Sequence, residues 1–158
     1  MDSSLVRDAA AFYDALSELI RIYQFRDRDR VCCHGISVTQ CYALEAVARY
    51  FPITVNELAG RLFLDKSTVS RVINSLEKKE LLCRLPHVKD GRAVELHLTR
   101  KGDDIYRRIR QDIEEQERRL LEDFDPDVRT AMIELIDRLA RSAEKRVSTT
   151  GGTCCSLE

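Results

Sequence analysis

The stretch Asp65–Lys79, DKSTVSRVINSLEKK, is the segment around which the fold is read. At helical period Val69, Val72, Ile73 and Leu76 form one apolar stripe, while Ser67, Arg71, Asn74 and Lys78 fall on the opposite face. Asp65 is placed to cap the helix start through its side-chain oxygen. Hydroxyls, an arginine fork and an asparagine amide are the groups that bond phosphates and base edges, and a helix of this width fits the major groove. An ordinary amphipathic surface helix explains a single stripe of this kind more often than DNA binding does, so its neighbours decide.

Upstream, Pro52 interrupts the helical pattern and Thr54-Val-Asn-Glu57 supplies a capping box for a short helix through about Phe63, with Leu58, Ala59 and Leu62 as its buried positions. Only Leu64 and the cap separate it from the next helix, which makes the pair a helix-turn-helix candidate. Downstream, Leu81–Leu85 and Ala93–Leu98 have the length and composition of two strands, the second alternating. Between them Asp90-Gly91 is a strong turn signal in a segment carrying Lys89 and Arg92. The prediction is a β-hairpin wing whose basic tip reaches a minor groove.

Further out, Leu5, Ala9, Phe12, Leu16, Leu19, Ile20 and Tyr23 predict a long first helix from Ser3 to about Arg28, ended by the charged run Arg26–Arg30. Val31–Ile36 then reads as a connector. Ser37-Val-Thr-Gln40 is a capping box opening a helix to about Tyr50, on which Val38, Cys41, Leu44 and Ala48 share a face. After Thr99, Ile105, Ile109, Ile113, Leu120, Leu121 and Phe124 predict a helix of roughly 25 residues, long by globular standards. Asp125-Pro126 restarts the chain into a last helix with Val128, Met132, Leu135, Ile136 and Leu139 on one face. These end helices carry more apolar surface than one small domain covers, and a two-fold partner is a simpler sink than an intramolecular bundle.

The 158 residues, 44% hydrophobic and 34% charged with three prolines, suit one helix-rich globular domain. No run approaches the ~20 apolar residues that span a bilayer, and the N-terminus lacks a basic segment followed by an apolar core, so a cytoplasmic protein without membrane contact is expected. The net charge of −1 hides a segregation: from Arg61 to Arg92 eight basic residues face four acidic ones, leaving +4 there and −5 elsewhere. A phosphate-binding surface needs such a patch, although a solvated basic face looks the same.

Val72-Ile-Asn-Ser-Leu76-Glu77, Leu81-Leu-Cys-Arg84, Asp90-Gly-Arg92 and Leu98-Thr-Arg-Lys-Gly102, in this order and spacing, resemble the signature of the MarR (multiple antibiotic resistance regulator) transcription factors. The helix pattern extends the resemblance from Ser3 to about Arg146. It implies a mainly α fold with a small β-hairpin wing, a winged helix-turn-helix lobe at about 37–98 flanked by dimerisation helices at about 3–30 and 99–146, all in one domain over 1–146. It also implies a homodimer, usually a repressor, with one recognition helix of each subunit in successive major grooves of a pseudopalindromic double-stranded operator. Carried onto this chain, Ser67, Thr68, Ser70, Arg71 and Asn74 lie where the family contacts DNA, with Lys78 and Lys89 on the same basic surface. Arg92 would enter the minor groove, and Asp90 would brace it. Glu80 departs from the pattern, since a glycine usually ends the recognition helix there; because glutamate adopts positive φ only at a cost, a differently shaped helix end is expected.

The six cysteines, with no secretion signal, read as free thiols, metal ligands or redox groups. Cys41 and Cys83 fit packing positions, whereas Cys32 and Cys33 are adjacent in a connector with no shared packing role, beside His34. Cys154 and Cys155 form a second vicinal pair on a Ser-Thr-Gly tail, 147–158, expected to be flexible, whose final Leu157-Glu158 resembles an expression-vector scar. Soft thiolates select soft ions or trivalent arsenic, so a soft metal, metalloid or oxidant at Cys32/Cys33 is the leading inducer. His34, His87 and His97 are otherwise expected to be solvent-exposed. A competing inducer is an organic molecule in a pocket lined by Phe12, Tyr13, Tyr42 and Phe51, rings that read more naturally as core or dimer contacts. A thiol oxidoreductase is the rival of another class, but no CxxC, phosphate-binding loop or nucleophile motif supports an enzyme. A winged helix that binds protein is the remaining alternative.

Overall fold

The computed structural model describes residues 3–32, 34–86 and 94–149, the side chains of 29, 30, 32 and 147–149 excepted. In chain order it contains α1 (Ser3–Cys32), α2 (Val38–Arg49), β1 (Ile53–Thr54), α3 (Val55–Leu62), α4 (Lys66–Lys78), β2 (Leu82–Pro86), β3 (Val94–Leu98), α5 (Arg100–Leu121) and α6 (Pro126–Thr149). It is mostly helical, with one small antiparallel sheet, as the sequence predicts. Residues Met1–Ile113 and Glu114–Glu158 form two compact units.

In the first unit the core lies between α2, α3, α4, the sheet and the start of α5. Leu44, Leu58, Val69, Ile73, Leu76 and Leu96 are all fully buried. The capping boxes form as read: Ser37 with Gln40 opens α2 and Thr54 with Glu57 opens α3. Asp65 caps α4 by accepting the Thr68 N–H. The hairpin pairs Leu82 with Leu98, Arg84 with Leu96 and Pro86 with Val94. The sequence missed the third strand, β1, which pairs Ile53 with Leu96 on the other edge of β3. A two-residue strand offers no period to detect. Its presence makes β3 central, which is why burial along β3 does not alternate and Glu95 and Leu96 are both buried.

Several boundaries move. The first helix does not stop at the charged run but continues through Cys32, because Val31, 2% exposed, docks its last turn in the core. Asp27 also accepts from the Tyr42 hydroxyl at 3.1 Å, tying that turn to α2. Ala48 faces outward instead of sharing the buried face of α2, which runs through Gln40, Cys41, Ala43, Leu44, Ala46 and Val47. Phe124 lies beyond α5, in the turn before Pro126. Phe12, Tyr13, Tyr42 and Phe51 are exposed, so none belongs to the core.

Glu80 overturns the expectation drawn from its side chain. It adopts φ 60, the left-handed conformation a glycine would take. Its N–H donates to the Glu77 carbonyl at 2.8 Å and the Leu81 N–H to the Leu76 carbonyl at 3.0 Å, the pair of bonds that closes a Schellman motif. The helix end therefore keeps its shape, and neighbours hold the strained residue. The Thr99 hydroxyl donates to the Glu80 carbonyl at 2.6 Å, and the Lys101 ammonium donates to the Lys79 carbonyl at 2.9 Å and pairs with the Glu80 carboxylate at 3.3 Å. Gly102 completes this junction, because a Cβ there would stand 1.9 Å from the Leu81 carbonyl oxygen. Only glycine lets α5 start so close to the base of the wing.

Two outcomes follow in urea denaturation. Glu80→Gly should stabilise the protein by roughly 0.5 kcal/mol, since relief of about 1–2 kcal/mol of left-handed strain is partly offset by greater freedom of the unfolded chain. Gly102→Ala should destabilise by about 3 kcal/mol, the upper end of the range for overpacking, because backbone must move. Gly60→Ala is the control: it has open space around its Cβ, and should gain about 0.5–1 kcal/mol.

Candidate nucleic-acid interface

The helix-turn-helix is built from α3 and α4, joined through Phe63, which sits at φ 52 and ends α3. The Leu64 N–H donates to the Ala59 carbonyl at 3.1 Å, so the turn is closed by backbone alone. From Asp65 the chain enters α4 with Val69, Ile73 and Leu76 turned wholly inward and Val72 partly covered. The opposite side carries Ser67, Ser70, Arg71, Asn74 and Lys78 at spacings of three and four. Ser67, Arg71, Asn74 and Lys78 are exposed, and Ser70 and Thr68 are half-buried. Six of the sequence-predicted contact residues thus come together on one helix.

The start of that surface is internally bonded. The Ser67 hydroxyl donates to Asp65 Oδ1 at 2.5 Å, the Thr68 hydroxyl donates to Asp65 Oδ2 at 2.7 Å, and Arg71 donates to the Thr68 oxygen at 3.1 Å. These bonds, led by Ser67, hold the Asp65 carboxyl well below the usual carboxylate range. Ser67 and Thr68 can still accept, but to donate to a phosphate their protons must leave Asp65.

Beneath the surface lies a polar network that the sequence did not reveal. Gln40, buried at the start of α2, donates to the Ser75 hydroxyl at 2.8 Å, and its oxygen accepts from Lys79 Nζ at 2.9 Å. Lys79 Nζ also donates to the Gly35 carbonyl at 2.6 Å. The connector between α1 and α2 is thereby fastened to the last turn of α4. On the other flank Arg84 of β2 donates to Glu77 and to Asn74. Lys79 and Arg84 counted toward the positive patch in the sequence, yet both point their charge into the lobe. Arg61 lies 4.1 Å over the Tyr50 ring.

The wing residues Lys89, Asp90 and Arg92, and also His87, lie outside the described residues, although both strands that bear the wing are in place. So do Cys33, Cys154 and Cys155, and Cys32 is placed only as backbone, in the last turn of α1. His34 is not solvent-exposed but half-buried, its Nε2 3.7 Å from Asp112 Oδ2 on α5. His97 is likewise half-buried, 3.1 Å from Glu95 and edge-on to Phe51. Cys41 is buried, and burial first, then the charges of Glu45 and Asp27, push its thiol up to about 11, which keeps it protonated and inert at neutral pH. Among the described residues no group of three or more His, Cys, Asp and Glu side chains is arranged to hold a metal ion. Nor is any described helix long and apolar enough to cross a membrane.

Residues 34–93, which run from the connector before α2 through β2 and stop short of β3, match the MarR family model. Among related proteins, the HTH-type transcriptional regulator YsmB of Bacillus subtilis is 26% identical over 124 residues, 78% of this chain and 85% of YsmB. The HTH-type transcriptional repressor MdtR of the same organism is 32% identical over 69 residues, 44% of each chain. The fold is similar to that of Staphylococcus aureus MarR in complex with salicylate and kanamycin, with a TM-score of 0.78 and 19% identity over 90% of this chain and 97% of that one. The family model over the helix-turn-helix lobe, the HTH-type regulators similar along much of the sequence and the shared fold over nine-tenths of the chain converge: the chain is similar to the MarR family of winged-helix transcription regulators.

Proposed function

We propose that this protein is a homodimeric repressor that places one α4 of each subunit in successive major grooves of a pseudopalindromic double-stranded operator. The observation that carries it is the two-sidedness of α4: its apolar side is consumed by the core while Ser67, Arg71, Asn74 and Lys78 stand exposed. Thr68, Ser70 and Lys78 extend the contact surface, Lys89 and Arg92 of the wing supply phosphate and minor-groove contacts, and Asp90 braces Arg92. The lobe at about 37–98 carries the DNA contacts, and the helices at about 3–30 and 99–146 carry dimerisation, all within one cytoplasmic domain over 1–146. The dimer is supported by uncovered apolar side chains on the end helices: Leu5, Ile22 and Phe25 on α1, Ile133, Leu135 and Ile136 on α6, each more than half exposed. A monomer rarely leaves such surface in water. The name of MdtR, a repressor similar over the lobe, supports repression rather than activation.

Release from DNA is assigned to a soft metal, metalloid or oxidant at Cys32/Cys33, with His34 adjacent and Cys154 and Cys155 able to complete a site. The support is the position of Cys32, one residue after buried Val31 and three before Gly35, whose carbonyl is bonded to Lys79 at the end of α4. A change at the thiols thus has a short bonded route to the recognition helix.

The full-length protein should sediment as a dimer and bind its selected duplex with affinity that falls steeply as salt rises. Arg71→Ala and Arg92→Ala should each weaken binding by about tenfold and lower the salt slope by about 1, with unchanged thermal unfolding. Unaltered affinity in both would remove α4 and the wing from the interface. Zinc, arsenite or peroxide should release the wild type from DNA but not the Cys32→Ser/Cys33→Ser protein. A double variant still released would place the sensor elsewhere, an organic effector being the next candidate.

A further inference from the structure

Arg84 belongs to the signature segment Leu81–Arg84, yet no DNA contact is assigned to it. Its guanidinium leaves β2 for α4, where Nη1 donates to the Glu77 carboxylate and Nη2 donates to Asn74 Oδ1 at 2.9 Å. Asn74 and Glu77 stand one turn apart on α4, so the fork is anchored by an ion pair at one prong while the other grips the asparagine. Arginine has five N–H donors and no acceptor. Only the oxygen end of the Asn74 amide can face it, and the orientation of that amide therefore follows from the chemistry of its partner. The Nδ2 end, with two N–H donors, is left for whatever lies outside α4, on the exposed stripe shared with Arg71 and Lys78.

We propose that Arg84 is a specificity-determining positioning residue: by holding the Asn74 carbonyl oxygen it presents the Asn74 amide nitrogen to the major groove, so that the base opposite is read by its acceptors, as guanine or thymine. The proposal rests on α4 lying in a DNA groove. An asparagine without such a partner pairs with adenine through both ends, accepting from N6 and donating to N7. Arg84 fills one lone pair of that oxygen and holds it toward β2, so the amide cannot swing to set both of its ends against adenine, and the Nδ2 donors are what it turns to a base. Guanine offers N7 and O6 as two adjacent acceptors and thymine offers O4, whereas adenine sets its one acceptor, N7, beside the N6 donor that opposes an N–H, and cytosine offers only a donor. Sequence preference on the exposed face of the recognition helix is thus set from the wing strand beside it.

The test is selection from a randomised duplex library by the full-length wild type, Asn74→Ala, Arg84→Met and Arg84→Lys, then anisotropy titration of all base variants at the position that Asn74→Ala relaxes. The wild type should hold guanine or thymine there, about tenfold over adenine. Arg84→Met, which keeps the apolar stem, should bring that ratio below about threefold while other selected positions keep their preferences. Arg84→Lys, still a donor-only partner, should retain it. Adenine or cytosine selected by the wild type overturns the proposal and needs no folded variant to be seen. A uniform loss of affinity for all bases in Arg84→Met, with the ratio intact, also overturns it and leaves Arg84 a merely structural residue. If Asn74→Ala relaxes no position the proposal falls while DNA binding by the wild type stands; a wild type that selects no sequence removes the groove reading itself.

Discussion

The rotation of α4 about its own axis is the constraint on which the rest depends. Val69, Ile73 and Leu76 are all fully buried, and each contributes about 1.5–3 kcal/mol by leaving water. Turning the helix by one residue, about 100°, would bury Ser70, Asn74 and Glu77 in their place, or in the other sense Thr68 and Ser75. No surface hydrogen bond competes with that penalty, so the core alone decides which side chains face outward. The polar network then sets position along the axis: Gln40 to Ser75 and Lys79 to Gly35 tie the second half of α4 to the start of α2. Hydrophobic burial orients the recognition surface and these hydrogen bonds locate it.

The end of α4 is where three elements meet. Glu80 turns the chain through a left-handed residue into β2, Thr99 closes over its carbonyl on the return from β3, and Gly102 lets α5 begin against Leu81. The Thr99 N–H donates to the Leu81 carbonyl at 3.2 Å and its hydroxyl accepts from the Gly102 N–H at 3.0 Å. The base of the wing, the recognition helix and the first turn of α5 share these bonds. A displacement of α5 is therefore felt at the wing and at α4 together.

Features encoded within a few residues were legible in the sequence. The capping boxes at Ser37 and Thr54, the cap at Asp65, the stripe on α4 and the hairpin strands all depend on spacings of two to four, and all formed. What failed depends on residues distant in sequence. The continuation of α1 through Cys32 rests on Val31 docking in a core assembled from α2 to α5, and the shape at Glu80 rests on Thr99 and Lys101 about twenty residues later. The exposed half of the candidate interface could be read from periodicity. Its supports, Gln40 to Ser75 and Arg84 to Asn74, carry no periodic signal because each joins different elements.

The charge of the lobe also differs in kind from the sequence sum. Of the basic residues between Arg61 and Arg92, Lys79 and Arg84 are engaged inward and Arg61 is stacked on Tyr50. Asp65 stays ionised beside the recognition surface, because the Ser67 and Thr68 bonds hold its carboxyl low. A depressed carboxyl contributes to stability above its unfolded value and loses that contribution only as pH falls through the folded one, so the cap and its negative charge persist through the neutral range. Lys66, Arg71 and Lys78 are then the exposed cations on α4 itself. Phosphate attraction grows with the number of cations brought to the duplex at once, and three from one helix sustain only weak binding at physiological salt. Doubling the surface across a two-fold axis multiplies the two half-site affinities instead of adding them, which is the advantage a dimer gives to a lobe that spends so much of its charge on its own architecture.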